Sequence, residues 1–213
     1  MVSSLLVHFG GDRQEKCPRL TKRPVNQGGS NLWFRGFTGG SPLNCIQIVV
    51  PMNPCPCGYF GSTQRACRCT PPEIRRYLDR VSGPLLDRID IQIEVDSVPV
   101  SSITGSGAAE SSAAVAARVA AARSVQYARY SGTSLFCNAQ LDSSSIRKFC
   151  VPDAEGSRLL HAAADSMHMS MRAYHRILKV ARTIADLAGE ETISSVHIAE
   201  AVQYRELDQK YWR

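Results

Sequence analysis

A short α/β segment with few strands, followed by an all-α bundle and mainly helical overall, is the fold class the sequence predicts. Three observations carry it. Residues 45–50 are an apolar run that ends at Pro51-Met52-Asn53-Pro54, while Ile89, Ile91, Ile93 and Val95 alternate with polar residues; these are the patterns of a buried and a half-buried strand. From residue 108 onward, helix-forming residues dominate and apolar positions recur at three- and four-residue steps. Between the two halves, residues 97–107 are rich in Ser, Gly, Pro and Val, the composition of a linker.

The chain has 213 residues, 44% of them hydrophobic, enough for one large domain or two small ones with a core. It carries 25 Lys/Arg and 19 Asp/Glu, of which six and two lie in residues 1–40. The remainder is near neutral, so net charge alone argues for no nucleic-acid partner. No apolar run reaches the roughly 18 residues of a membrane helix. Residues 1–9 lack the basic start, long apolar stretch and cleavage site of a secretory signal. A cytoplasmic protein with no membrane partner is the expectation. In that compartment, close-set cysteines among the eight present point to metal rather than disulfides.

Residues 1–41 show no sustained period and read as a poorly ordered leader; Cys17 has no close partner in sequence. Residues 43–50 then form a strand, stopped by Pro51 and Pro54. Asn53 lies just past its tip, where polar groups of open α/β sheets face a ligand. Asn-Pro is also an ordinary turn, and position alone favours the turn.

Cys55, Cys57, Cys67 and Cys69 make two Cys-x-Cys pairs separated by nine residues that include Gly58 and Gly61. Four thiolates so close can converge on one tetrahedral ion, a structural zinc, with Arg65 and Arg68 favouring the thiolate form. The pairs are tighter than the commoner C-x2–4-C spacing, and the other reading is reduced thiols in a surface loop. Cys45, Cys137 and Cys150 have apolar neighbours and read as core.

Thr70-Pro71-Pro72-Glu73 opens a helix with a capping box. Its Arg75, Arg76 and Arg80 are either a solvated face or a phosphate-contacting one. Gly83-Pro84 ends the helix, Leu85-Leu86 bury, and Arg88 stands at the entry of the next strand, either salt-bridged there or projecting toward a phosphate on a neighbouring subunit. Past the linker, residues 108–129 read as one long helix and 138–150 are ambiguous. Pro152-Asp153 opens a helix covering residues 159–164. Ser170 caps a helix whose Tyr174, Ile177, Leu178, Ala181, Ile184, Ala185 and Ala188 recur on one face until Gly189 ends it. Arg172 lies in its first turn, against the helix dipole, as a ligand-facing cation or simply an exposed arginine. A last helix is expected over about residues 195–204 with Ile198, Ala201 and Val202 inward, followed by a polar tail.

Several runs are long enough to be specific. Met52-Asn53-Pro54-Cys55-Pro56-Cys57-Gly58-Tyr59, Cys67-Arg68-Cys69, Ser82-Gly83-Pro84-Leu85-Leu86-Asp87-Arg88-Ile89-Asp90 and the segment from Arg172 to Leu187 resemble the magnesium-chelatase-like AAA+ ATPase family of the ComM/YifB type, over residues 42–207. The resemblance implies the C-terminal part of an AAA+ P-loop core at residues 42–100 and a helical lid at 101–213. It implies ATP and Mg2+ as cofactors, a homo-oligomeric ring (a hexamer), and ATP-driven branch migration of DNA in competence. It also assigns roles. Asn53 matches the sensor-1 position that places the hydrolytic water. Arg88 matches the arginine finger that reaches a neighbour's γ-phosphate. Arg172 matches the sensor-2 arginine of the lid. Cations placed against developing phosphoryl charge accelerate transfer, and a finger in trans requires an oligomer.

The chain also departs from that family. It contains no G-x-x-x-x-G-K-[ST], the loop that cradles phosphates, and no apolar strand ending in paired acids precedes Leu43. Residues 1–41 lie off the family pattern. The expectation is therefore the end of the core plus the lid, behind an unrelated or frameshifted leader, inactive as an ATPase by itself. The alternative is a non-enzymatic zinc-knuckle module that binds DNA or protein through Arg75, Arg76 and Arg80, or an inert remnant. No residue argues for magnesium insertion into a porphyrin.

Overall fold

The computed structural model describes residues 3–9, 33–36, 46–62, 65–95 and 110–212. The chain divides into two compact units, residues 1–97 with 204–213, and residues 98–203. Cys17, Cys45 and the linker expected at 97–107 lie outside the described residues.

In the first unit, β1 (Ser3–Phe9), β2 (Trp33–Gly36), β3 (Ile46–Met52) and β4 (Ile91–Ile93) form a sheet of order β2-β3-β1-β4. Every pairing among these strands is antiparallel. Both expected strands are present, but β1 lies between them: Leu6 pairs with Val49 on one side and Ile91 on the other. The leader reading of residues 1–41 therefore needs amending where β1 and β2 fall. Strand backbones must find hydrogen-bonding neighbours, and the short apolar stretch Leu5-Leu6-Val7 supplies the pairing segment.

After β3 come α1 (Pro71–Leu78) and the single-turn α2 (Gly83–Leu86). The capping box forms as expected. The Thr70 backbone N–H and hydroxyl donate to Glu73 Oε2 at 2.8 and 2.9 Å, and these bonds hold the Glu73 carboxyl below its usual range. α1 buries Tyr77 and Leu78 and leaves Arg75, Arg76 and Arg80 exposed.

The second unit is helical. It comprises α3 (Ser112–Arg129), a 3-10 turn (Asn138–Gln140), α4 (Ser143–Phe149), α5 (Ala154–Ser166), α6 (Met171–Ala188) and α7 (Ser195–Gln203). The ambiguous stretch 138–150 thus resolves into a 3-10 turn and a short helix. Ser111, Asp142, Asp153 and Ser170 each accept a hydrogen bond from the backbone N–H three residues on, satisfying donors that a helix start leaves open. Gly189, at φ 74°, ends α6 in the left-handed region. The core joins Leu160, Ile177, Ile193 and Ile198, all 0–1% exposed, with Tyr130, Ala181 and Ala185. Such burial contributes about 1.5–3 kcal/mol per large aliphatic side chain. Cys137 and Cys150 are buried here, as their neighbours suggested.

A buried carboxylate ties three elements together. Asp186 of α6 accepts from Arg129 of α3 at 2.9 Å, from Asn138 at 2.8 Å and from Arg182 one turn earlier at 3.1 Å. Arg182 also donates to the Glu190 and Glu191 carbonyls just past the helix. Tyr130 donates its hydroxyl to Asn138 Oδ1 at 2.7 Å. Burial acts to raise the Asp186 pKa, but the Arg129 and Asn138 hydrogen bonds and the Arg182 charge outweigh it, and the net shift is downward.

The expected polar tail is instead a helix, α8 (Glu206–Trp212), which belongs to the first unit. Its Lys210 and Tyr211 hold Glu94 at 2.6 and 2.8 Å, and the Trp212 indole N–H donates to the Leu78 carbonyl at 3.1 Å.

Asp186→Ala is expected to destabilise the helical unit by about 3 kcal/mol, because it removes the carboxylate from the buried Arg182 and the half-buried Arg129; urea unfolding followed by helical circular dichroism reads this. A folded-state pKa below the unfolded one means that the stabilisation is complete above the ordinary value of 3.8 and is lost as pH falls through the depressed value. The Ala variant should therefore show a weaker acid dependence than the parent.

Candidate functional site

The end of β3 leads into the cysteine loop. Pro54 and Cys55 are buried, and the Gly58 N–H closes a turn onto the Cys55 carbonyl at 3.0 Å. Gly58 and Gly61 have φ of +79° and +75°, a region that costs glycine little, and they turn the chain so that Cys67 and Cys69 come back toward Cys55 and Cys57. All four Sγ atoms lie within 4.8 Å of one another. The Cys55–Cys57, Cys57–Cys67 and Cys55–Cys67 sulfur separations are 3.3, 3.6 and 3.7 Å. A tetrahedron with metal–sulfur bonds of about 2.3 Å has sulfur–sulfur edges of about 3.8 Å, so the four thiols fit one ion. Soft sulfur donors suit zinc and are wrong for Mg2+, which takes oxygen ligands.

The electrostatics of the cluster differ from the expectation at Arg65 and Arg68. Arg65 stacks over the Tyr59 ring at 4.6 Å and donates to its hydroxyl at 3.1 Å. Arg68 acts through its backbone: the N–H groups of Arg68 and Tyr59 bring the Cys57 thiol down to about 6. Burial and the neighbouring thiols push Cys69 up to about 12. Four thiolates therefore do not coexist without a cation, and a divalent ion at their centre removes that conflict.

Asn53 is exposed, and its backbone forms a hydrogen bond with the Tyr77 phenol, whose pKa burial raises. It lines a cavity of about 370 Å³ together with Cys55, Glu73, Arg76, Tyr77 and Arg80. An antiparallel sheet has no common carboxyl edge, so the knuckle and α1, rather than strand order, place Asn53. Within the same unit, Arg88 is exposed between α2 and β4 and outside that cavity. In the second unit, Arg172 is exposed in the first turn of α6. No described carboxylate forms an ion pair with Arg75, Arg80, Arg88 or Arg172, while the charge of Arg76 helps to lower the Glu73 pKa.

The family described as magnesium chelatase, subunit ChlI, matches residues 42–103, and the one described as its C-terminal domain matches residues 109–205. The chain belongs to the magnesium-chelatase-like family. Competence protein ComM of Haemophilus influenzae is 43% identical over 161 residues, which is 75% of this chain and 30% of that protein. YifB of Escherichia coli is 42% identical over 164 residues, 76% of this chain and 31% of that one. An uncharacterised Mycobacterium bovis protein is 32% identical over 185 residues, 87% of this chain and 36% of its own length. The chain spans about a third of the length of these relatives.

Magnesium-chelatase-like membership does not mark every residue that shapes the site. Arg205, 2% exposed, donates to the Ile89 carbonyl at 2.8 Å. Phe60 in the cysteine loop meets Tyr211 edge-on at 6.3 Å. An aromatic pair in an otherwise polar tail was the available signal for α8. Nothing in local sequence marks Arg205 as buried. No described helix is long and apolar enough to cross a membrane.

The purified chain is expected to bind one Zn2+, and cobalt(II) in its place should give the visible spectrum of a tetrahedral tetrathiolate. The double variant Cys55→Ser/Cys67→Ser should lose both, with metal affinity reduced by at least about 100-fold, given that such sites are worth roughly 10–16 kcal/mol in total.

Proposed function

We propose that this chain provides the sensor, finger and lid portion of a ring-forming AAA+ ATPase of the ComM/YifB type, working on DNA branch migration, with a structural zinc in the four-cysteine loop. The observation that supports it is that Asn53, Arg88 and Arg172 lie within the two matched segments and are exposed without a described side-chain partner. Arg182 and Arg129, by contrast, are buried and half-buried and both pair with Asp186. The name of the Haemophilus relative assigns it to competence, and the proposal extends that process to this chain.

The roles follow from chemistry. ATP supplies the phosphoryl group that is transferred to water. The Asn53 carboxamide orients that water by donating and accepting hydrogen bonds. The Arg88 guanidinium binds phosphate oxygens of the adjacent subunit and stabilises charge that develops on transfer. Arg172 adds a second cation from the lid. Among the described residues, the only cluster of three or more potential metal ligands is the cysteine set; Mg2+ would enter with the nucleotide and supply charge neutralisation at its phosphates. The 213 residues contain no G-x-x-x-x-G-K-[ST], so turnover requires a phosphate-cradling loop from outside them.

Titration with a fluorescent ATP analogue and magnesium tests this. The chain alone should bind weakly and not hydrolyse ATP, while mixing it with a full-length relative should change that relative's ATPase rate. Arg88→Ala should abolish the change, since a finger is worth roughly 10³-fold or more in turnover. Tight binding and turnover by the chain alone, surviving loss of Asn53 and Arg88, would overturn the assignment.

A further inference from the structure

We infer that Arg205 is the positioning residue for Arg88, an inference that rests on the reading of Arg88 as a finger. A side chain that reaches a phosphate on another subunit needs a fixed base, because a displacement of about 1 Å costs on the order of 10²-fold in rate. The elements around Arg88 cannot hold it unaided. α2 is one turn of four residues and β4 is three residues long, both below the length at which local structure sustains itself.

Arg205 makes the missing attachment. Its Nη1 donates to the Ile89 carbonyl at 2.8 Å, and its Nη2 stands 3.8 Å from the Asp87 carboxylate. The two groups that it engages are the immediate neighbours of Arg88 on either side. Arg205 is 2% exposed, so its bond to the Ile89 carbonyl acts away from water, where it is strong and where an unpaired guanidinium would be costly; the Asp87 carboxylate, 36% exposed, adds a longer-range attraction from the solvent edge. One residue earlier, the Tyr204 carbonyl accepts the Gln92 N–H at 3.0 Å. α8 then fastens the same segment through Glu94 and the Leu78 carbonyl. Tyr204 follows directly on α7, so the residue that holds the finger's base is among the first anchored after the lid helices.

The test uses the full chain with Arg205→Met, Arg205→Lys and, separately, Arg88→Ala. Hydrogen exchange of residues 87–92 should accelerate about tenfold or more in Arg205→Met, the scale of losing one charged hydrogen bond, with the melting of the helical unit unchanged. In mixtures with a full-length relative, Arg205→Met should lower kcat as Arg88→Ala does while leaving KM for ATP in place, and Arg205→Lys should restore part of it. Unchanged exchange overturns the inference. So does a mixture that responds to Arg88→Ala but not to Arg205→Met. If exchange accelerates but neither variant alters the mixture, the finger assignment falls and Arg205 is left as the anchor of the segment.

Discussion

The chemistry-bearing part of the first unit depends on four sulfur atoms meeting at one point. Between the end of β3 and the start of α1 there is no helix or strand among the described residues, only turns. What converts that length of chain into a fixed object is the convergence of Cys55, Cys57, Cys67 and Cys69 within 4.8 Å. A cross-link that closes a loop lowers the entropy of the open chain, and a metal bound by four thiolates is such a cross-link. Asn53 lies two residues from Cys55, the fully buried member of the set. The thiols are unequal: backbone N–H groups bring Cys57 down to about 6, while burial and then the neighbouring thiols push Cys69 up to about 12. Sulfurs this close compete for ionisation until a cation settles them.

A comparable arrangement of opposite polarity organises the lid. There the centre is a carboxylate, Asp186, and the donors Arg129, Asn138 and Arg182 come from a neighbouring helix, the 3-10 turn and its own helix. It sits near the C-terminal end of α6, about 21 Å of helix from Arg172 at 1.5 Å per residue. One end of α6 is therefore pinned by buried charge, and the other presents an exposed cation. A continuous 18-residue helix carries the fixed position of Asp186 to Arg172 with little bending.

The helices of the second unit were legible because their signals are local. Ser170 and Gly189 bound α6 as capping chemistry requires, and the recurrence of Ile177, Leu178, Ala181 and Ala185 on one face matches their burial. The cysteine cluster was legible from spacing alone. What was not legible is long-range. β1 pairs with β3 across separations from 49 residues at Ser3–Met52 to 37 at Phe9–Ile46, and α8 returns to Glu94 and Leu78 across a separation of 116 to 134 residues. Neither leaves a periodic trace, since a four-stranded sheet needs only a few apolar residues per strand and a returning helix needs only Leu207, Tyr211 and Trp212. The Asp186 centre is illegible for a different reason: on a helical wheel, an Asp four residues after an Arg looks like an ordinary surface pair.

Arginine is where sequence and structure differ most usefully. On the page, Arg88, Arg129, Arg172, Arg182 and Arg205 are alike, five permanent cations scattered through helices and loops. In the structure they separate cleanly. Arg129, Arg182 and Arg205 are drawn inward onto carboxylates and carbonyls, and desolvation makes those contacts obligatory. Arg88 and Arg172 remain exposed with no described carboxylate. Paired guanidiniums shape the scaffold, and the exposed ones are those to which the proposed function gives the phosphate contacts. A modest net charge conceals this division, because the balance of 25 basic and 19 acidic residues counts both classes together. What separates the two classes is the fold, which leaves Arg88 and Arg172 exposed and draws Arg182 and Arg205 inward.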